Sequence, residues 1–146
     1  HPDDLVWARD QVELGVADRP DERGDFDLAA YASVSVAEER EAAREAARPP
    51  VAFITAGAAP PVLERHGIDA ERASDIGAKI SAGEFSAAFE LVTSAMVDAF
   101  CMAGTVEEVG ERMARVEEHA DSLVVGSPLG PDLEEAITLA AAAHDR

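Results

Sequence analysis

"DSLVVGSPLGPDLEE", residues Asp121 to Glu135, decides how the chain is to be read. Ser122 to Val125 have the apolar, β-branched character of a buried strand. Gly126, Pro128, Gly130 and Pro131 then break the run, and a helical pattern starts at once. A strand passed straight into a helix through small residues fits two designs. One is a compact turn. The other is a thin loop that lets a ligand approach the backbone, as at the strand C-termini of parallel sheets and barrels.

Working outward, the same junction recurs. Ser35-Val36-Ala37-Glu38, Thr105-Val106-Glu107-Glu108 and Asp132-Leu133-Glu134-Glu135 all fit a capping box. In each, a side chain at the helix start accepts from a free backbone N–H and a Glu three residues on reaches back. Each follows a short apolar run: Leu28 to Val34, "DAFCMAGT" and "SLVVG". Strand, loop and capped helix in repetition is the pattern of parallel βα units. "AGT" at Ala103 to Thr105 and "GSPLGPD" are then loops on the ligand side of the sheet. Free N–H groups at such helix starts attract anions. A Glu at the third helical position competes for the same donors, so both designs stay open.

The remaining elements are helical. "DDLVWARDQVELGV" places Leu5, Ala8, Val12 and Val16 on one face, and "RPDERGD" is a turn-rich break. "AEEREAAREAAR" reads as a helix ended by Pro49-Pro50. Residues 51 to 97 read as a helical segment broken at Gly57 to Pro61, Gly67 and Gly83, with "FSAAFELVTSAMV" as one stretch. "VEEVGERMARVEEH" is amphipathic through Val106, Val109, Met113 and Val116, and "LEEAITLAAAA" is the last helix.

The chain has 146 residues, enough for one domain with a sizeable core. It holds 12 basic against 30 acidic residues, a net charge of −18. Nucleic-acid binding needs the opposite sign. Salt screens the self-repulsion of so acidic a surface, which points to a salty cytoplasm and a halophilic source; the alternative is an ordinary acidic domain from a GC-rich genome. Cys101 is alone, which leaves no intrachain disulfide and no cysteine metal cluster. No apolar run reaches the roughly 18 residues of a membrane span, and no signal-peptide pattern is present, so a cytoplasmic protein is expected.

Several stretches together resemble one family. "FDLAAYASVSVAEEREAAREAARPPVAFI", "VLERHGID", "DAFCMAGTVEEVGERM" and "VVGSPLGPD" are similar to the C-terminal half of the methylenetetrahydromethanopterin reductases. These are luciferase-like oxidoreductases that depend on flavin or coenzyme F420. The opening "HPDDL" is similar to the segment after the family's fifth barrel strand. The resemblance implies an α/β fold: the last three or so strands and helices of an eight-stranded TIM barrel. Such barrels run to about 250 residues. Residues 1–146 would then be one segment, the C-terminal half, with 51–97 as a helical insertion.

The resemblance implies hydride transfer from reduced coenzyme F420 to a methylene-tetrahydropterin of methanopterin or folate type. The alternatives are an FMN-dependent monooxygenase and a non-catalytic half-barrel module. No metal is implied. It offers His1, Ser33, Gly104, Thr105, Gly126, Ser127 and Pro128 as one wall of the cofactor pocket, with the catalytic residues in the other half. The partner is that missing half or another copy of the chain. Strand edges near Leu28 to Val34 and Ser122 to Val125 are expected to lose a neighbour, which invites self-association.

Structural readings compete at several positions. His66 reads as a surface or cap residue, and His119 and His144 as residues at helix ends. Cys101, Phe85, Phe89 and Met96 read as core. Glu107-Glu108 reads as a solvated helix face and Thr105 as a cap.

Overall fold

The computed structural model describes every residue except Asp21, Arg23, Asp25 and Arg146. The turn-rich break expected at Arg19 to Asp25 therefore lies partly outside the described residues. Among the described residues eleven elements follow in order. Helix α1 (Pro2–Val16) leads to strand β1 (Ala29–Val36) and helix α2 (Arg40–Gly57). Four helices come next: α3 (Pro60–Arg65), α4 (Ala70–Ser81), α5 (Phe85–Glu90) and α6 (Ser94–Phe100). Strand β2 (Met102–Gly104), helix α7 (Val106–Glu117), strand β3 (Ser122–Leu129) and helix α8 (Leu133–His144) complete the chain.

All strand pairings are parallel, and the order is β2-β1-β3. The edge expected along Leu28 to Val34 is thus a correction: β1 is the central strand. Successive strands usually lie side by side, yet β3 lies on the far side of β1 from β2. Strand length accounts for it. β1 and β3 each have 8 residues and β2 has 3, so β1 offers β3 a ladder that β2 cannot. The start of the ladder is clamped both ways. Leu28 N donates to Asp121 Oδ2 and Asp121 N donates to the Leu28 carbonyl, each at 2.9 Å.

Two cores form. One lies between the sheet and the helices α7 and α8, and includes Val34, Val36, Met102, Val109, Met113, Val116, Ala136 and Ala140. The other joins α2 to the helices α3–α6, around Val51, Leu63, Ile76, Met96 and Val97. Cys101 is 2 % exposed and belongs to this second core, as expected. Met96 is also buried, but Phe85 is exposed and lies against Phe53 and Phe89 on the surface.

Several boundaries differ from expectation for identifiable reasons. Pro49 and Pro50 do not end a helix but sit inside α2. Ala43, Ala47, Val51 and Thr55 recur every fourth residue and are all buried. Their continuous apolar contact holds the helix together across prolines that each cost about 3 kcal/mol in a helix interior. The Ser35 capping box does not form. Ser35 is still in β1, paired beside Ala103 and Leu129, and its hydroxyl donates to the Ala43 carbonyl at 2.6 Å. The stretch at Phe85 to Val97 divides at Thr93, whose hydroxyl caps α6. Asp98 to Phe100 are helical rather than part of β2. Gly126 to Leu129, expected in a loop, continue β3.

Candidate functional site

The strand C-termini come first. β2 ends at Gly104, and Thr105 caps α7. Thr105 N donates to Glu108 Oε2 at 3.1 Å, and Glu108 N donates to Thr105 Oγ1 at 3.4 Å. Glu108 Oε1 also pairs with Arg40 at 3.1 Å, so this glutamate is an anchored cap and not a solvated face. A Cβ on Gly104 would stand 3.1 Å from Glu108 Cβ and closer still to its carboxylate. Glycine is what lets the glutamate return. At this junction the cap occupies donors an anion would need. Across β1, a Cβ on Gly130 would stand 2.8 Å from Ala136 Cβ and nearer still to the Val36 carbonyl, so α8 also starts in tight packing. Asp132 caps it by accepting from Glu135 N at 2.9 Å.

The open face of the sheet differs. Ser33 lies opposite Gly126 and Tyr31 opposite Val124. Alternation along a strand puts Ala29, Tyr31 and Ser33 on one face with Ser122, Val124 and Gly126. Tyr31 is 72 % exposed, and its phenol ring lies over Gly126, where a Cβ would come within 2.6 Å of it. Ser127 is exposed and Pro128 half-buried just beyond. The result is a shelf of small residues bordered by one aromatic ring.

A cavity of about 510 Å³ flanks β1 where β2 is too short to cover it. His1 and Ser33 line it, with Ile54, Phe100, Met102 and Arg112 among its other walls. The expected site residues therefore fall in three places. Ser33 adjoins Gly126 on the open face and shares the cavity with His1. Gly104 and Thr105 form the cap at the end of β2.

The His1 ring nitrogen accepts from Asp3 N at 3.3 Å and caps α1. The ring also meets His66 edge-on at 5.1 Å. His66 is the C-cap of α3 and a part-buried tie to α1, because its Nε2 lies 2.8 Å from Asp4 Oδ2. Arg65 pairs with the other oxygen of Asp4 and stacks over Trp7 at 5.2 Å. Burial pushes the Asp4 carboxyl up, but hydrogen bonds from His66 and Arg65 outweigh it and hold the group below its ordinary value. The buried Cys101 thiol is pushed up to about 12 by desolvation, which makes it a poor nucleophile. Among the described residues, no group of three or more His, Cys, Asp and Glu side chains is placed to hold a metal ion. No helix among them is long and apolar enough to cross a membrane.

Reading the sequence missed Tyr31 and Arg112. A signal for Arg112 was present: positions 109, 112, 113 and 116 share one helical face, and an arginine there faces inward.

The family model for luciferase-like monooxygenases matches residues 1–122. The chain belongs to the luciferase-like monooxygenase family. It is 38% identical over 144 residues to the 5,10-methylenetetrahydromethanopterin reductase of Archaeoglobus fulgidus, covering 95% of this chain and 43% of that protein. The reductase of the same name from Methanolobus tindarius is 40% identical over 144 residues, with the same shares. The solved structure of the coenzyme F420 dependent tetrahydromethanopterin reductase from Methanopyrus kandleri matches with a TM-score of 0.85 at 38% identity. That match covers 95% of this chain and 40% of the solved one. The chain thus spans about two fifths of the length of the relatives it matches. The α/β fold with a parallel sheet and flanking helices is that of the luciferase-like barrel reductase.

Proposed function

We propose that this chain is the C-terminal part of a coenzyme F420-dependent methylenetetrahydropterin reductase, an oxidoreductase of one-carbon metabolism. One observation carries the reading: identity of 38% to 40% runs through 95% of the chain in relatives that all bear the reductase name. Residues 1–146 are taken as one segment of a larger barrel, with 51–97 as a helical insertion. Support for the insertion is that most of one core comes from it, with Ala47, Ala99, Cys101 and Ala103 contributing from outside. The net charge of −18 supports a halophilic source.

The open face fits a flat ring system. Ala29 and Ser33 leave room, Gly126 admits the overlying Tyr31 ring, and Tyr31 offers an aromatic edge. When bound, the deazaflavin supplies the hydride. The residues of this chain hold and orient. Ser33, Gly126, Ser127 and Pro128 form the shelf, and His1 stands at its margin. Gly104 and Thr105 shape the neighbouring strand end through their cap and do not hold an anion. The Ser33 hydroxyl is a polar group on that shelf able to fix a ring edge. Covering the shelf and excluding water fall to the rest of the barrel or to a second copy of the chain.

The test measures coenzyme F420 oxidation with a methylene-tetrahydropterin, using the chain alone and the chain co-expressed with the N-terminal half of the Methanopyrus kandleri reductase. The chain alone should be oligomeric or aggregation-prone and inactive, and co-expression should restore turnover. Turnover by a monodisperse isolated chain would disprove the half-barrel reading. A reconstituted barrel that binds FMN and not coenzyme F420 would make the protein a flavin monooxygenase. A well-folded assembly that binds neither would make it a non-catalytic module.

A further inference from the structure

We propose that the charge-free face of α2 and α5 around Phe53 and Phe85 is where a second copy of this chain docks. The inference holds whatever reaction the barrel runs, because no residue of that face belongs to the proposed cofactor shelf.

Residues 49–63 contain no Asp, Glu, Lys, Arg or His. In a chain with 29% charged residues, a stretch of that length would carry about four at average composition. The second half of α2 is also built inside out. Thr55, its one polar side chain, is 1 % exposed, and its hydroxyl has no hydrogen-bond partner among the described residues. Phe53, two residues earlier, is 49 % exposed. Folding of the segment by itself favours neither placement. Phe85 is 48 % exposed, and its ring centroid lies 6.2 Å from that of Phe53 and 6.5 Å from that of Phe89. Ala56 and Gly57 continue the exposed face to the end of α2. An exposed apolar cluster of this kind marks an interaction surface. Pro49-Pro50 and Pro60-Pro61 bracket it and stiffen its backbone, which lowers the entropic cost of docking.

Charge decides the occupant. Two copies of net charge −18 repel wherever their acidic surfaces meet. They approach each other best across a face without carboxylates. A basic partner is drawn to the acidic surface elsewhere and gains nothing here. Glu84 is the carboxylate that precedes Phe85, and Lys79, the only lysine of the chain, holds its Oε2 at 2.5 Å. The single lysine thus neutralises the acid beside this face. The rest of the barrel attaches along the strand edges of the sheet, whereas Phe53 and Phe85 stand on helices packed around Val51, Ile76 and Met96. An apolar face is also self-complementary, as a twofold pair of identical chains requires.

The test is analytical ultracentrifugation of the full chain from low to molar potassium chloride. The unaltered chain should self-associate reversibly, and more tightly as salt rises. Phe53→Glu and Phe85→Glu should each weaken that association about tenfold or more while circular dichroism stays unchanged. Thr138→Glu, which adds the same charge on α8, should change it less than about twofold. If Phe53→Glu loses its circular dichroism, Phe53→Ala, which shortens the side chain without adding charge, is read in its place. A chain that stays monomeric at every salt overturns the proposal. So does association kept in both phenylalanine variants, because the copies would then pair through open strand edges. Weakening by Thr138→Glu as large as by Phe53→Glu also overturns it, as an effect of net charge alone. A Phe53→Glu chain that associates as before but no longer co-purifies with the N-terminal half of the Methanopyrus kandleri reductase would assign the face to the rest of the barrel.

Discussion

Two mid-helix glycines allow a controlled comparison. Gly110 lies in α7 and Gly77 in α4. Replacing either by alanine should gain about 1 kcal/mol from helix propensity alone. Their surroundings differ. A Cβ on Gly77 would meet Ala56 Cβ at 3.7 Å, an ordinary contact. A Cβ on Gly110 would meet the Ala143 carbonyl oxygen at 2.7 Å and its carbon at 3.5 Å. That neighbour is backbone of α8 and cannot rotate away. Overpacking of this kind costs about 1–3 kcal/mol, so Gly110→Ala should come out neutral to about 2 kcal/mol destabilising. With about 2–4 °C per kcal/mol for a domain of this size, Gly77→Ala should raise the melting temperature by a few degrees. Gly110→Ala should leave it unchanged or lower it by up to about 8 °C. Circular dichroism at 222 nm, a helix band, would read both (wavelength about 222 nm). If Gly110→Ala stabilises as much as Gly77→Ala, α7 and α8 do not meet as described.

Two further outcomes are expected. Melting temperature should climb from low to molar potassium chloride, because salt screens the repulsion within a chain of net charge −18; a flat or falling midpoint would remove the argument for a salty source. Asp4→Asn should destabilise at neutral pH, and the gap to the unaltered protein should close in acid. The folded Asp4 carboxyl titrates below its ordinary value, so its contribution is complete above the unfolded value and is lost as pH falls through the folded one. A gap that persists at the acid end would show that Asp4 acts through shape and not charge.

What could be read from the sequence was what short-range chemistry fixes. The Thr105 and Glu108 box lies within four residues and was legible from spacing alone. Gly67 closing α3 was equally local: its φ is +62°, and its N–H bonds the Glu64 carbonyl at 3.0 Å. What failed depended on distant partners. Pro49-Pro50 mark a helix end in isolation, yet Ala47, Val51 and Ala52 on either side of them are held by a core contributed largely by α3–α6. Ser35 had the local credentials of a cap, but its ladder partners Ala103 and Leu129 keep it in a strand. At the candidate site, small residues were legible as small. That Gly126 is overlaid by Tyr31 depends on register between strands far apart in sequence, which no local pattern encodes.

The sheet order bears on how the chain emerges from a ribosome. Of the three strands described, the central one is made first. The residues that clamp the start of β1 to β3, Leu28 and Asp121, are 93 positions apart. At roughly 5–20 residues per second of synthesis, β1 waits roughly 5–20 seconds for that neighbour. During the wait β3 is not there to pair with it, and Val124 is not yet opposite Tyr31. The helices α2 to α6 are built in the interval and can settle around their own core, since their contacts are closer in sequence. Nascent chains stalled between Phe100 and Asp121 should therefore present a folded helical segment with an open strand edge, the species that a chaperone would hold.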